Sequence, residues 1–213
     1  MAWNPHRRGL VFEALALSGL IGLYIWRLQA IWRYSWCLIA TWLVISILFR
    51  GDSLATLGWR LDNFWPAARN SAYFLVPASL TVCVCGFFVG MQHRQPAHLV
   101  EPGRFLGYFL FCLVQQIGLN SFLSNRLLSA FDSPLAASLS AGAIFGLLHW
   151  PNPVLVPLTA IAGAAMASLF LRKRNILPLA MGQAVLGSLV WWAFPLHWHH
   201  SMRVGPGYWT FHP

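Results

Sequence analysis

Seven stretches of this chain, residues 9–28, 31–49, 72–91, 104–126, 134–150, 153–171 and 176–194, are apolar almost throughout. A helix needs roughly 20 apolar residues to cross the hydrocarbon core of a bilayer. The spacing therefore predicts an all-α, multi-pass bundle of about seven membrane segments, forming one domain over 1–213. Residues 134–150 are short for a span, and their neighbours are expected to sheathe them. A very short turn around Gln29 joins the first two segments. Arg7 and Arg8 ahead of an apolar run resemble a signal peptide, but the run is read as the first transmembrane helix. No repeat or low-complexity tract is evident.

Composition excludes the other classes. The chain is 58% apolar and 9% charged, against about 45–50% and 25% in soluble domains. That leaves no place for a soluble enzyme, a disordered segment or a nucleic-acid-binding basic protein. The net charge of +9 fits arginines in loops facing anionic lipid and the cytoplasm. Arg7, Arg8, Arg50, Arg60, Arg69, Arg126, Arg172, Lys173 and Arg174 fall on one side of the predicted topology. Arg27, Arg33, Arg94, Arg104 and Arg203 fall on the other. This excess predicts a cytoplasmic N-terminus and an outer C-terminus; the membrane is expected to be the plasma (inner) membrane. Cys37, Cys83, Cys85 and Cys112 lie in apolar runs without C-x-x-C spacing and read as small buried hydrophobes.

Two local patterns refine the architecture. Leu54, Leu57, Leu61 and Phe64 recur at helical spacing among Arg60, Asp62 and Asn63, with Trp59 and Trp65 nearby. This predicts an interfacial amphipathic helix over 52–70, or a plain connecting helix. Ser138, Gly142 and Gly146 recur every four residues, as do Ala160, Ala164 and Ser168, and Ala180, Ala184 and Ser188. Small residues at that spacing let membrane helices approach closely. The last three helices are expected to form a tight bundle with any buried site inside it.

Polar groups within spans are costly and mark candidate sites. The fourth segment carries Gln115, Gln116, Asn120 and Ser124, the last three at four-residue spacing on one face. The fifth carries Phe145 and, one turn on, His149. The seventh carries Gln183 and, one turn on, Gly187.

These positions resemble the motifs of the CPBP family, which includes type II CAAX prenyl proteases and Abi or lysostaphin-resistance-like membrane proteins. QQIGLNSFLSNRL is similar to E-E-x-x-x-R, with Gln115 and Gln116 at the glutamates and Asn120 at the arginine. IFGLLHWPNP keeps F-x-x-x-H as Phe145 and His149. ILPLAMGQAVLG resembles H-x-x-x-N, with Gln183 at the histidine and Gly187 at the asparagine. The likeness covers a core of about residues 104–190. It implies a peptidase site in which a glutamate activates water while histidines and asparagine stabilise the oxyanion. Here the departures weigh against catalysis, because an amide cannot serve as a general base. The expected function is a non-catalytic CPBP-like membrane protein, a pseudo-protease acting as a binding, scaffold or accessory subunit.

Alternatives remain open from the residues alone. One is an intramembrane endopeptidase using an unrecognised base. All five acids are Glu13, Asp52, Asp62, Glu101 and Asp132, of which Glu13 alone lies in a span. Glu13 has no partner visible in the sequence beyond nearby Arg7 and Arg8. The other alternative is a pigment- or haem-contacting subunit with His149 as a single axial ligand. Against that, His149 is expected to hydrogen-bond Gln116, Asn120 or Gln183, and no cofactor or metal is expected. The tail HWHHSMRVGPGYWTFHP, with His197, His199, His200 and His212, reads as docked on the outer face, with metal binding as the lesser reading. Of 12 tryptophans, most flank spans as an aromatic belt. Besides the lipid bilayer, a membrane-protein partner is expected at the Trp-rich first two helices or the tail, and no nucleic acid.

Overall fold

The structure, a computed structural model, describes residues 5–89 and 101–211. Its principal helices are α1 (Pro5–Ile31), α2 (Trp36–Arg50), α3 (Phe64–Val89), α4 (Pro102–Phe131), α5 (Pro134–Leu147), α6 (Leu155–Arg172) and α7 (Ile176–Ala193). Five are long and apolar enough to cross a membrane, while α2 and α5 are shorter. No strand occurs among the described residues. Residues 90 and 91 of the third predicted segment, together with Arg94, Trp3 and His212, lie outside the described residues.

Several boundaries differ from expectation. Gln29 sits inside α1, its Nε2 donating to Ile25 O at 2.7 Å, and the turn falls on Trp32–Ser35. No amphipathic helix spans 52–70. Ser53 caps a single turn, Leu54–Leu57, by accepting from Thr56 N. Gly58 then takes a left-handed φ of +82°, a conformation open to glycine. A Cβ there would lie 2.6 Å from the Phe170 ring. The following loop is held by Asn175, whose Nδ2 donates to Arg60 O at 2.7 Å and Asn63 Oδ1 at 2.8 Å. α3 therefore starts at Phe64, eight residues before the predicted span.

Small residues bring α5 and α6 together as expected. A Cβ on Gly142 would lie 2.5 Å from Ala160 O and Ala164 N, and one on Gly146 2.7 Å from Ala160 Cβ. α7 departs from the predicted three-helix bundle: it packs on α3 and α4 and barely touches α6. Its neighbours show the reason, since Ala193 closes on Gly86 and Gly182 on Leu75, both of α3. Ala180, Ala184 and Ser188 are buried nonetheless.

One end of the bundle is tied by ion pairs. Glu13 of α1 accepts from Ser46 Oγ at 2.6 Å, Arg50 Nε at 2.8 Å and Arg126 Nε at 2.9 Å. Arg126, with its side chain 5% exposed, also reaches Asp52 at 2.6 Å and lies over the Phe122 ring at 4.9 Å. Arg7 pairs with Asp132 rather than with Glu13. Glu13 is thus not a lone carboxylate near Arg7 and Arg8. It joins α1 to α2 and α4 through residues 33 to 113 positions away.

Candidate functional site

α4 carries the first motif on an unusual stretch of backbone. Ile117–Ser124 is π-helical, as is Tyr24–Leu28 in α1; the geometry is rare and is frequently found at functional sites. The widened turn is partly satisfied by Ser124 Oγ, 2.8 Å from Leu119 O five residues back. Ser124 Oγ also lies 3.0 Å from Asn120 Oδ1.

From there the amides form a ladder with one direction. Asn120 Nδ2 donates to Gln116 Oε1. Gln116 Nε2 donates to Gln183 Oε1 of α7 at 2.6 Å, and touches Met166 Sδ of α6 at 3.2 Å. Gln183 Nε2 donates to Gln115 Oε1. Every donor points toward Gln115, whose own Nε2 meets no protein acceptor among the described residues. Gln116 and Asn120 are fully buried, so this ladder also answers the rule that buried polar groups must be paired.

The ladder ends on the wall of a cavity of about 420 Å³ among α3, α4, α6 and α7. Gln115, Phe145, His149, Gln183 and Gly187 all line it, while Gln116 and Asn120 stand one layer behind. His149 is not bonded to Gln116, Asn120 or Gln183 as expected. Its Nδ1 lies 2.7 Å from Phe145 O, and a carbonyl can only accept, so Nδ1 carries the proton and Nε2 keeps its lone pair. The Phe145 ring meets the imidazole edge to face, with centroids 4.8 Å apart.

Tyr108 escaped the sequence reading. It lies seven residues before Gln115, two turns along the same helix face, and its hydroxyl stands where a side chain at position 187 would begin. A Cβ on Gly187 would fall 2.0 Å from Tyr108 Oη. The space that an asparagine would fill is thus taken by a phenol from α4. Tyr108, Gly187 and Met202 also border a smaller cavity of about 230 Å³ with Ser188, Trp191 and Ser201. Ser188 Oγ is buried without a hydrogen-bond partner among the described residues.

The C-terminal tail closes one side. Asn152 Nδ2 donates to His199 O at 2.8 Å and Arg203 O at 3.0 Å, while its Oδ1 accepts from Val154 N and Leu155 N at the start of α6. Gly205 N donates to Trp150 O at 2.9 Å. Met202 and Val204 thereby reach the cavity wall. Of the described tail histidines, His199 Nε2 lies 3.1 Å from Phe194 O, and His200 stacks on Tyr208. Among the described residues no three His, Cys, Asp or Glu are grouped for a metal.

Among the described residues no carboxylate lines the cavity. All five are paired with arginine: Glu13 with Arg50 and Arg126, Asp52 with Arg126, Asp62 with Arg60, Glu101 with Arg104 and Asp132 with Arg7.

Comparison with known proteins bears on the same segment. Residues 104–189, from the start of α4 into α7, match the family model described as type II CAAX prenyl endopeptidase Rce1-like. No curated protein and no solved structure matches the chain.

Proposed function

From the premise that residues 104–189 belong to the CPBP family of type II CAAX prenyl endopeptidase-like membrane proteins, we propose that this chain is a non-catalytic member whose cavity binds rather than cleaves. One observation carries the reading. The three motif positions at which the family's acid–base groups would stand, Gln115, Gln116 and Gln183, hold amides bonded to one another, and every carboxylate is held by arginine elsewhere. A base must accept a proton from the attacking water, and an amide does not. Among the described residues His149 Nε2 is the one basic lone pair on the wall. Using it would leave an imidazolium in an apolar cavity with no carboxylate to compensate it, which is strongly unfavourable. The ladder instead supplies fixed, neutral hydrogen-bonding groups, as suits a binding site in a membrane.

The test is turnover of a farnesylated CAAX peptide by the full chain in liposomes, with His149→Ala as the reference. The expected result is release of the C-terminal tripeptide no faster than by His149→Ala. Turnover that His149→Ala abolishes would overturn the proposal.

A further inference from the structure

The binding reading leaves open what the cavity holds, and its wall is specific on that point. Its apolar part is large: Phe74, Ala78, Val82, Phe111, Leu158 and Ile161 come from three helices. Phe111 and Ile161 are 55% and 66% exposed. In a chain that spans a bilayer, such a rim opens to lipid rather than to water. Among the described residues the polar part is uncharged, and its Thr81 and Thr159 hydroxyls are taken by Pro77 O and Leu155 O of their own helices. It offers a donor at Gln115 Nε2, a lone pair at His149 Nε2, and the Tyr108 hydroxyl, with Ser188 Oγ unpartnered in the adjoining smaller cavity. The main cavity falls within the roughly 300–1,000 Å³ typical of sites that enclose small molecules.

We propose that the two cavities together bind a single-chain amphiphile with a neutral, hydroxyl-bearing head, which enters sideways from the bilayer. This rests on the binding reading above and names its ligand class. The chain lies along the α3 and α6 side, and the head meets Gln115, His149 and Tyr108. A hydroxyl both donates and accepts, so it matches a wall that presents one free donor, one free acceptor and one phenol. A charged head finds no opposite charge among the described lining residues, and an unpaired ion removed from water carries a prohibitive desolvation cost. The Ser188 hydroxyl supplies a further partner for a head with more than one hydroxyl.

The experiment measures equilibrium binding of radiolabelled 1-oleoylglycerol to the full chain in detergent, with unlabelled oleate and lysophosphatidylcholine as competitors. Saturable binding near one per chain is expected, with both charged competitors at least tenfold weaker than unlabelled 1-oleoylglycerol. Ala162→Phe and Ala78→Phe, each filling the cavity from a different helix, should abolish binding, whereas Gln115→Leu should weaken it about tenfold. Thermal unfolding of each variant identifies one that has merely failed to fold, and the other then decides. If oleate competes equally and the filling variants still block binding, the neutral head is wrong while the cavity remains a binding site. If no probe binds saturably, or a folded filling variant binds as well as the parent, this proposal and the binding reading both fail.

Discussion

Gln183 is the joint at which the ladder crosses from α4 to α7. Gln183→Leu would leave Gln116 Nε2 with only the Met166 thioether and Gln115 Oε1 with no protein donor. A buried polar group stripped of its partner costs about 1–3 kcal/mol, so the unfolding temperature in detergent should fall. An unchanged value would show the ladder to be energetically idle. Glu13→Gln tests the other polar cluster. Removing one member of a fully buried ion pair costs about 3–5 kcal/mol; Glu13 and Arg50 are only partly buried and Asp52 still holds Arg126, so the loss should fall below that range on the same measurement. Gly187→Asn introduces a side chain that drives into Tyr108 Oη. Overpacking of this kind costs about 1–3 kcal/mol. Pairing it with Tyr108→Ala should make the double variant more stable than the sum of the two singles, and strict additivity would argue that the two sites do not meet. Much at this scale was legible in advance, because motif order alone brought Gln115, Phe145, His149, Gln183 and Gly187 to one wall. The partners of Glu13 were not, since contacts 37 and 113 residues apart in the chain leave no local pattern.

Element by element, the helices follow from the apolar runs, while their exact turns follow from single residues that compete with periodicity. The leucines at 54, 57 and 61 favour one helix, yet Gly58 ends it, because a left-handed residue wedged against Phe170 cannot be continued as helix. Small-residue spacing reports that a helix face is narrow and not which neighbour it meets. It therefore located the α5–α6 contact and misassigned α7. The π-helical stretch of α4 has no signature in residue spacing; what accompanies it is Ser124 Oγ bonded to Leu119 O and Asn120 Oδ1. Gly142→Val should be among the most damaging substitutions in the chain. Its side chain would enter the backbone of α6 at Ala160 and Ala164, where nothing can turn aside, and loss of monodisperse protein on size-exclusion chromatography is the expected readout.

At the scale of the whole molecule, several arginines gather at one end of the described residues. Arg7, Arg50 and Arg126 are tied together through acids of α1, the α2–α3 loop and the α4–α5 turn, and Arg174 reaches Asn125 Oδ1 at 2.7 Å at that same end. By the positive-inside bias this end should face the cytoplasm. In a cysteine-free background, Arg8→Cys should react with an impermeant maleimide only after cells are permeabilised, and Arg203→Cys in intact cells. The opposite pattern would invert the topology. The amide ladder has a consequence on this scale as well. Each amide presents a donor on one side and an acceptor on the other, so no rung can turn over alone without setting like against like. The row from Asn120 to Gln115 reverses as a unit or stays as it is. As it stands the row offers the cavity a hydrogen; only reversal of every rung together would offer a lone pair instead, and that reversal would transfer no net proton.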